Sequence, residues 1–109
     1  MLIDFTAIPE TVIPHMRGGE KEAAVHMYQD DLGKLMRGRL IPGASIGLHT
    51  HEESSEVIYI LSGQGRVLYD GGSEPLGPGS VHYCPKGHAH SLINDSDGDL
   101  EFFAVIPNQ

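Results

Sequence analysis

Glycine and proline recur along the second half of this 109-residue chain, and they constrain its fold more than any other feature. They separate short runs with β-branched and aromatic residues, which lie at residues 57–61, 66–69, 80–84, 91–93 and 100–106. These turn signals recur roughly every 8 to 12 residues, and no window here keeps a helical apolar period. The pattern therefore predicts an all-β fold of antiparallel strands in a sandwich or barrel.

The first 33 residues follow a less regular pattern. Pro9, Pro14 and the pair Gly18-Gly19 break any long element, and residues 20–28 fit either a helical turn or a strand. We favour a strand over 24–28, preceded by an extended arm that covers a sheet edge of its own chain or of a partner. The organisation predicted is one domain, with an N-terminal arm at 1–33 that carries an edge strand and a barrel at 34–109.

Charge and composition exclude several classes of partner. The net charge is −8, with 15 acidic against 7 basic side chains, which argues against binding to nucleic acid. No apolar run approaches the length of a membrane span, and the first ten residues lack the basic start of a signal peptide. The single cysteine, Cys84, excludes an intrachain disulfide and is expected to be buried. The expectation is a soluble cytoplasmic protein.

Histidines provide the first functional signal. His49 and His51 are two residues apart, so on a strand their side chains share one face. A short polar loop then leads to Glu56, and if that loop is a hairpin turn, pairing of the two strands brings Glu56 opposite both histidines. Two imidazoles and one carboxylate suit a divalent ion of Mn, Fe, Co, Ni, Cu or Zn.

Three more histidines, His82, His88 and His90, surround the turn formed by Pro85, Lys86 and Gly87. If this turn reverses the chain, it delivers His90 from an adjacent strand as a fourth ligand. An octahedral ion would then keep two positions for water or substrate.

A basic run, Lys34, Arg37 and Arg39, alternates along a strand-like segment. One interpretation is a solvated face. The other is that Arg37 or Arg39 points into a pocket and pairs with an anion.

Two blocks of residues at fixed spacing resemble the two motifs of the cupin superfamily, and specifically its small single-domain members. The first motif, G-x5-HxH-x4-E-x6-G, is matched by Gly43, His49, His51, Glu56 and Gly63. The second, G-x5-PxG-x2-H-x3-N, is matched by Gly79, Pro85, Gly87, His90 and Asn94. Together they span residues 43–94, and many positions at fixed offsets make the resemblance specific.

The resemblance implies a double-stranded β-helix, or jelly roll, closed into a barrel. Carried over by position, the metal ligands would be His49, His51, Glu56 and His90, while Asn94 would hold neighbouring backbone. Ile58, Ile60, Leu68, Leu92 and Phe103 are expected to line the barrel. Many such barrels pair as homodimers, and the arm offers apolar side chains for this at Ile3, Phe5, Val12 and Ile13.

Metal binding leaves the activity open. One hypothesis is a dioxygenase, decarboxylase or isomerase acting on a small carboxylate, keto acid or sugar. Its candidate catalytic groups are His82 or His88 as proton carrier and Arg37 or Arg39 as carboxylate clamp. The second hypothesis is a barrel that binds or senses a small molecule without turnover, and the third is a dimeric scaffold whose metal is incidental.

Overall fold

A computed structural model describes residues 1–109 as ten strands and two short 3₁₀ turns. The strands are β1 (Thr11–Pro14), β2 (Glu22–Asp30), β3 (Gly33–Leu40), β4 (Ser45–Thr50), β5 (Glu56–Ser62), β6 (Gly65–Tyr69), β7 (Gly72–Leu76), β8 (Val81–Cys84), β9 (Ala89–Ile93) and β10 (Leu100–Pro107). The turns are Phe5–Ala7 and Met16–Gly18. Every run predicted as a strand overlaps one, and only Ser80 of those runs lies outside, one residue before β8. Strand β7 was not predicted, because its sequence GSEPL lacks the β-branched residues that mark the others.

The strands form two sheets whose order differs from their order in the chain. Six strands lie in the order β1-β2-β3-β10-β5-β8, and four lie in the order β4-β9-β6-β7. All pairings are antiparallel. Successive strands therefore cross repeatedly from one sheet to the other, as in a jelly roll. This confirms the all-β double-stranded β-helix.

The core lies between the sheets and follows from the alternation of side chains along each strand. On β3, Met36, Gly38 and Leu40 are buried, whereas the residues between them are more exposed. Phe102 of β10 pairs directly with Gly38 and is fully buried. Its ring occupies the space where a side chain at position 38 would lie, since a Cβ there would overlap the ring.

The N-terminal segment contributes to the same core. Strand β2 pairs with β3 from Ala23 to Asp30, and Ala23 and Val25 are almost fully buried among the core residues. Strand β1 forms the outer edge of the six-stranded sheet. Phe5 packs edge-on against Phe103, with 5.4 Å between ring centroids. The helical alternative for residues 20–28 is therefore wrong, and the arm packs on its own chain.

No helix in this structure has the length and apolar character needed to cross a membrane.

Candidate metal centre

A β-bulge in β4 turns His49 towards the interior. Ile46 pairs with Leu92 and His49 pairs with His90. Between these two pairs β4 has two residues, 47 and 48, whereas β9 has only one, Ser91. With strict alternation, the burial of Ile46 would place Leu48 inside and His49 outside. The extra residue reverses this order, so Leu48 is 66% exposed.

Gly47 lies within this bulge and lets another segment approach it. A Cβ at this position would overlap the carbonyl group of Arg17. The turn Met16–Gly18 therefore lies directly against β4, and the main chain amide of Glu20 donates to Ser45 Oγ at 2.9 Å. Because of this packing, Met16 and Arg17 lie beside β4, where both line the cavity described below.

Residues 51–55 cross from one sheet to the other. Strand β4 belongs to the four-stranded sheet and β5 to the six-stranded sheet, so the two strands do not form a hairpin. The prediction that Glu56 faces the histidines across paired strands is wrong. Glu56 reaches His51 and His90 across the interior of the barrel instead. The turn at Pro85, Lys86 and Gly87 likewise connects β8 and β9 in different sheets, and His90 lies opposite His49 because β9 pairs with β4.

Four side chains converge at this point. His51 Nε2 lies 3.0 Å from Glu56 Oε1 and 2.9 Å from His90 Nε2. His90 Nε2 lies 2.9 Å from Glu56 Oε1. With His49 included, one donor atom from each side chain lies within 4.8 Å of all the others. Such a cluster can hold a metal ion.

Each imidazole is fixed through Nδ1, which leaves Nε2 directed at the cluster. His49 Nδ1 donates to the Gly47 carbonyl at 2.7 Å. His51 Nδ1 lies 2.8 Å from Ser54 Oγ, and His90 Nδ1 lies 2.9 Å from His82 Nε2. Hydrogen bonds of this type set the tautomer and ring orientation of metal-binding histidines. The donor set of three imidazoles and one carboxylate therefore fits a divalent transition metal.

Burial and hydrogen bonding shift the pKa of two of these donors, Glu56 and His49. Burial acts to raise the pKa of Glu56, but hydrogen bonds with His51 and His90 more than offset it and lower the pKa to about 2. Burial lowers the pKa of His49, against the opposing effect of its bond to the Gly47 carbonyl. At neutral pH the carboxylate is charged and His49 is neutral.

A cavity of about 130 Å³ opens next to His49, His51 and Glu56. Its remaining lining residues are Met16, Arg17, Met27, Lys34, Met36, Ile46, Ser54, Ile106 and Asn108. Apart from Glu56, the charged groups of this lining are two cations, Arg17 and Lys34. In a chain of net charge −8, this lining therefore carries more cationic than anionic side chains.

Arg37 and Arg39, predicted as carboxylate clamps, lie outside this cavity. Arg37 pairs with Glu101 at 3.9 Å, and Arg39 pairs with Glu10 at 3.5 Å and with Asp99 at 3.6 Å. The alternation of β3 explains this, because Lys34 shares the inward parity of Met36 while both arginines point outward. The solvated-face interpretation is correct for the arginines, and Lys34 lines the cavity instead.

The two other candidate histidines differ in position. His82 is 8% exposed and contacts His90. Burial and the neighbouring His90 lower the pKa of His82 to about 4. The His88 side chain is 42% exposed and lies 3.0 Å from Asp70 Oδ1, directed away from the cluster. Spacing alone had favoured position 90 over position 88, and the structure brings His90 to the cluster.

Cys84 is buried, as expected, and burial raises the pKa of its thiol to about 11. Asn94 also behaves as expected: its Nδ2 donates to the carbonyl groups of Leu40 and Gly98, both at 2.8 Å.

Arg17 and Ser54 were missed at the sequence level. Nothing in the local pattern marks Arg17, since it reaches the cavity only because residues 16–19 pack on β4. Ser54 lies three residues after His51, a spacing at which a hydroxyl can reach back to the imidazole within one turn.

Comparison with known proteins gives consistent results. The sequence profile of the cupin domain matches residues 36–106. An oxalate-binding protein of Thermotoga maritima is 38% identical over 113 residues, which cover 97% of this chain and 93% of that protein.

Solved structures agree over the whole chain. A Thermotoga maritima structure, described as a predicted oxalate decarboxylase, superposes with a TM-score of 0.93 and 34% identity, covering all of both chains. A polyketide cyclase from Streptomyces resistomycificus superposes with a TM-score of 0.79 at 24% identity, covering 98% of this chain and 78% of that one. The second likeness concerns the fold alone.

Proposed function

The chain belongs to the cupin family, and from that premise we propose that it binds a divalent transition metal and, on it, a small dicarboxylate of the oxalate type. The proposed ligands are His49, His51, Glu56 and His90. The observation that carries the proposal is the convergence of these four donors beside a cavity whose other charged groups are cations.

The protein's own contribution to the metal site is preorganisation. The Nδ1 contacts to Gly47, Ser54 and His82 hold the three rings with Nε2 directed inward. Glu56 adds the single negative charge among the donors. When bound, a divalent ion supplies a Lewis-acid position for carboxylate oxygens. The donor set suits Mn, Fe, Co, Ni, Cu or Zn, because affinity in such sites follows ligand type and metal availability.

Ligand recognition would depend on charge and size. Lys34 and Arg17 line the same cavity as three of the proposed metal ligands, and they would supply N–H donors and positive charge to an anion there. The cavity volume of about 130 Å³ favours a compact molecule. The name of the oxalate-binding relative from Thermotoga maritima agrees with a small dianion.

The test is calorimetric titration of the metal-loaded protein with oxalate. Lys34→Met keeps the length of the side chain and removes its charge, and Arg37→Met makes the matched change on the outer face of the same strand. Because a hydrogen bond to a charged group contributes about 1.5 to 3 kcal/mol, Lys34→Met should weaken oxalate binding by about 10- to 100-fold. Arg37→Met should leave it unchanged.

Equal affinities for oxalate in the wild type and Lys34→Met would exclude a role for Lys34 in binding the anion. Failure of the metal-loaded wild type to bind oxalate would exclude the proposed ligand class.

Decarboxylation is the second candidate, favoured by the likeness to the structure described as a predicted oxalate decarboxylase. It predicts that oxalate incubated with the metal-loaded protein yields formate and carbon dioxide in equal amounts. If the protein binds oxalate but forms neither product, its function is binding without catalysis. Oxygenation, isomerisation and the homodimer remain predictions from the sequence.

A further inference from the structure

His90 differs from His49 in what holds its second nitrogen. His49 Nδ1 faces a carbonyl oxygen, which can only accept a hydrogen bond. His90 Nδ1 faces His82 Nε2 at 2.9 Å, and an imidazole nitrogen can either donate or accept. Both rings are buried, so water does not readily replace this contact. The direction of the hydrogen bond therefore decides which nitrogen of His90 is free.

Ligation through His90 Nε2 requires that its lone pair face Glu56 and His51. The proton of the neutral ring must then lie on Nδ1, where it needs an acceptor. His82 supplies that acceptor when its own proton is on Nδ1. We propose that His82 is a positioning residue, which holds His90 in the tautomer and orientation that present Nε2 to the metal. This inference rests on the proposed metal site.

The fold holds His82 in place for this role. It lies on β8, opposite Ile58 of β5, and alternation turns it inward. Its ring centroid lies 5.1 Å from that of His90. Tyr69 packs edge-on against it from another side, with 5.4 Å between centroids. Neighbouring rings thus restrict its rotation while its Nε2 faces His90.

The same neighbourhood offers a different arrangement, which the experiment must distinguish. Donor atoms of His82, Cys84 and His90 lie within 4.8 Å of one another and can hold a metal themselves. The Cys84 thiol, however, is buried and lies 3.5 Å from the His88 carbonyl, to which it donates. This contact favours a thiol over a thiolate ligand, and His82 as hydrogen-bond acceptor over His82 as ligand.

The experiment compares metal affinity in His82→Gln and His82→Leu, with Zn²⁺ as the probe. Glutamine can place a carbonyl oxygen near the position of His82 Nε2, whereas leucine fills space without an acceptor. Loss of such a partner typically weakens metal binding by about 10- to 100-fold. We expect this loss in His82→Leu and recovery of most of the affinity in His82→Gln. His88→Ala, two residues from His90 on the outer side, should bind as tightly as wild type.

A second measurement needs no variant. Nitrogen NMR of the Zn²⁺-loaded wild type should show His90 with its proton on Nδ1 and the metal on Nε2. Metal on Nδ1 of His90 would overturn the inference, whether or not the leucine variant folds. In a folded His82→Leu protein, the His90 Nδ1 proton should lose its protection from exchange with solvent.

The outcomes separate this inference from the function on which it rests. Wild-type affinity in His82→Leu would overturn the role of His82 and leave the metal site intact. A fall from two bound Zn²⁺ per chain to one in that variant would make His82 a ligand of its own site and also overturn the inference. A wild-type protein that binds no metal would overturn the proposed site together with the inference.

Discussion

Replacing Glu56 by glutamine tests the proposed site most directly. Glutamine has nearly the same shape and keeps an oxygen where Glu56 Oε1 lies. It removes the only negative charge among the four donors. Because the pKa of Glu56 is about 2, the wild-type group is fully ionised at neutral pH, and the substitution removes a whole charge.

The size of the effect follows from Coulomb's law. A carboxylate oxygen binds a divalent ion at about 2.1 Å, which gives about 4 kcal/mol even with the dielectric constant of water. Glu56 is 4% exposed, so screening by water is weaker than that. The carbonyl oxygen of glutamine keeps part of the interaction. We therefore expect metal affinity to fall by about 100- to 1000-fold.

Thermal unfolding with and without metal measures this loss. At a free metal concentration of about 1000 times the wild-type Kd, binding stabilises the wild type by about 4 kcal/mol. A 1000-fold weaker variant would gain only about 0.4 kcal/mol at that concentration. For a domain of this size, each kcal/mol shifts Tm by about 4 to 8 °C, so the two proteins should separate clearly.

Glu52→Gln is the matched control, because Glu52 is an exposed carboxylate in the loop before Glu56. It should keep the wild-type response to metal. A Glu56→Gln protein with the full metal-dependent rise in Tm would refute the reasoning, since the carboxylate would then not coordinate.

Two further predictions concern the metal-free fold. The pKa of His82 is about 4 in the folded chain and 6.5 when unperturbed, and the pKa of His49 is also lowered by folding. As the pH falls, both histidines are therefore protonated in the unfolded chain before they are protonated in the folded chain. Stability should fall on the order of 2 kcal/mol between about pH 6.5 and 4, and a flat Tm profile over that range would contradict it. Gly38→Ala should lower the free energy of unfolding in urea by about 1 to 3 kcal/mol, because its Cβ would overlap the buried ring of Phe102. An unchanged urea midpoint would contradict this and show that the core rearranges to accommodate the methyl group.

Strand positions could be predicted where polar and apolar residues alternate. On β5, Glu56, Ile58 and Ile60 were expected on one face, and all three are buried. The same reasoning was wrong on β10, where Phe102 rather than Phe103 enters the core. The sequence LEFFAVIP has apolar side chains on both faces, so alternation could not set the register.

Leu68 shows a similar limit on β6. It was expected in the barrel lining but is 36% exposed, while its neighbour Val67 is buried. Both residues are apolar, and only the pairing of Val67 with Leu92 decides which one faces inward.

Which strands face each other could not be predicted from local pattern. A short polar loop such as residues 51–55 fits a hairpin as well as a crossing between sheets, and only the long-range pairing of β4 with β9 distinguishes them. The ion pairs of Arg39 could not be predicted from local pattern either. Its partners are Glu10 and Asp99, which are distant in the chain and meet only on the folded six-stranded sheet.

The ligands and the groups that orient them are encoded differently. Fixed spacing identifies the four donors, because each must occur at one position on one strand or next to it. The orienting contacts come from a bulge carbonyl at Gly47, a loop hydroxyl at Ser54 and the β8 side chain of His82. None of these is specified by the spacing of the two motifs. A chain that keeps the four donors but loses the acceptor at position 82 would keep the fold and bind metal less tightly. Motif spacing therefore predicts where a metal can bind, whereas under the proposal the orienting residues would govern how tightly it binds.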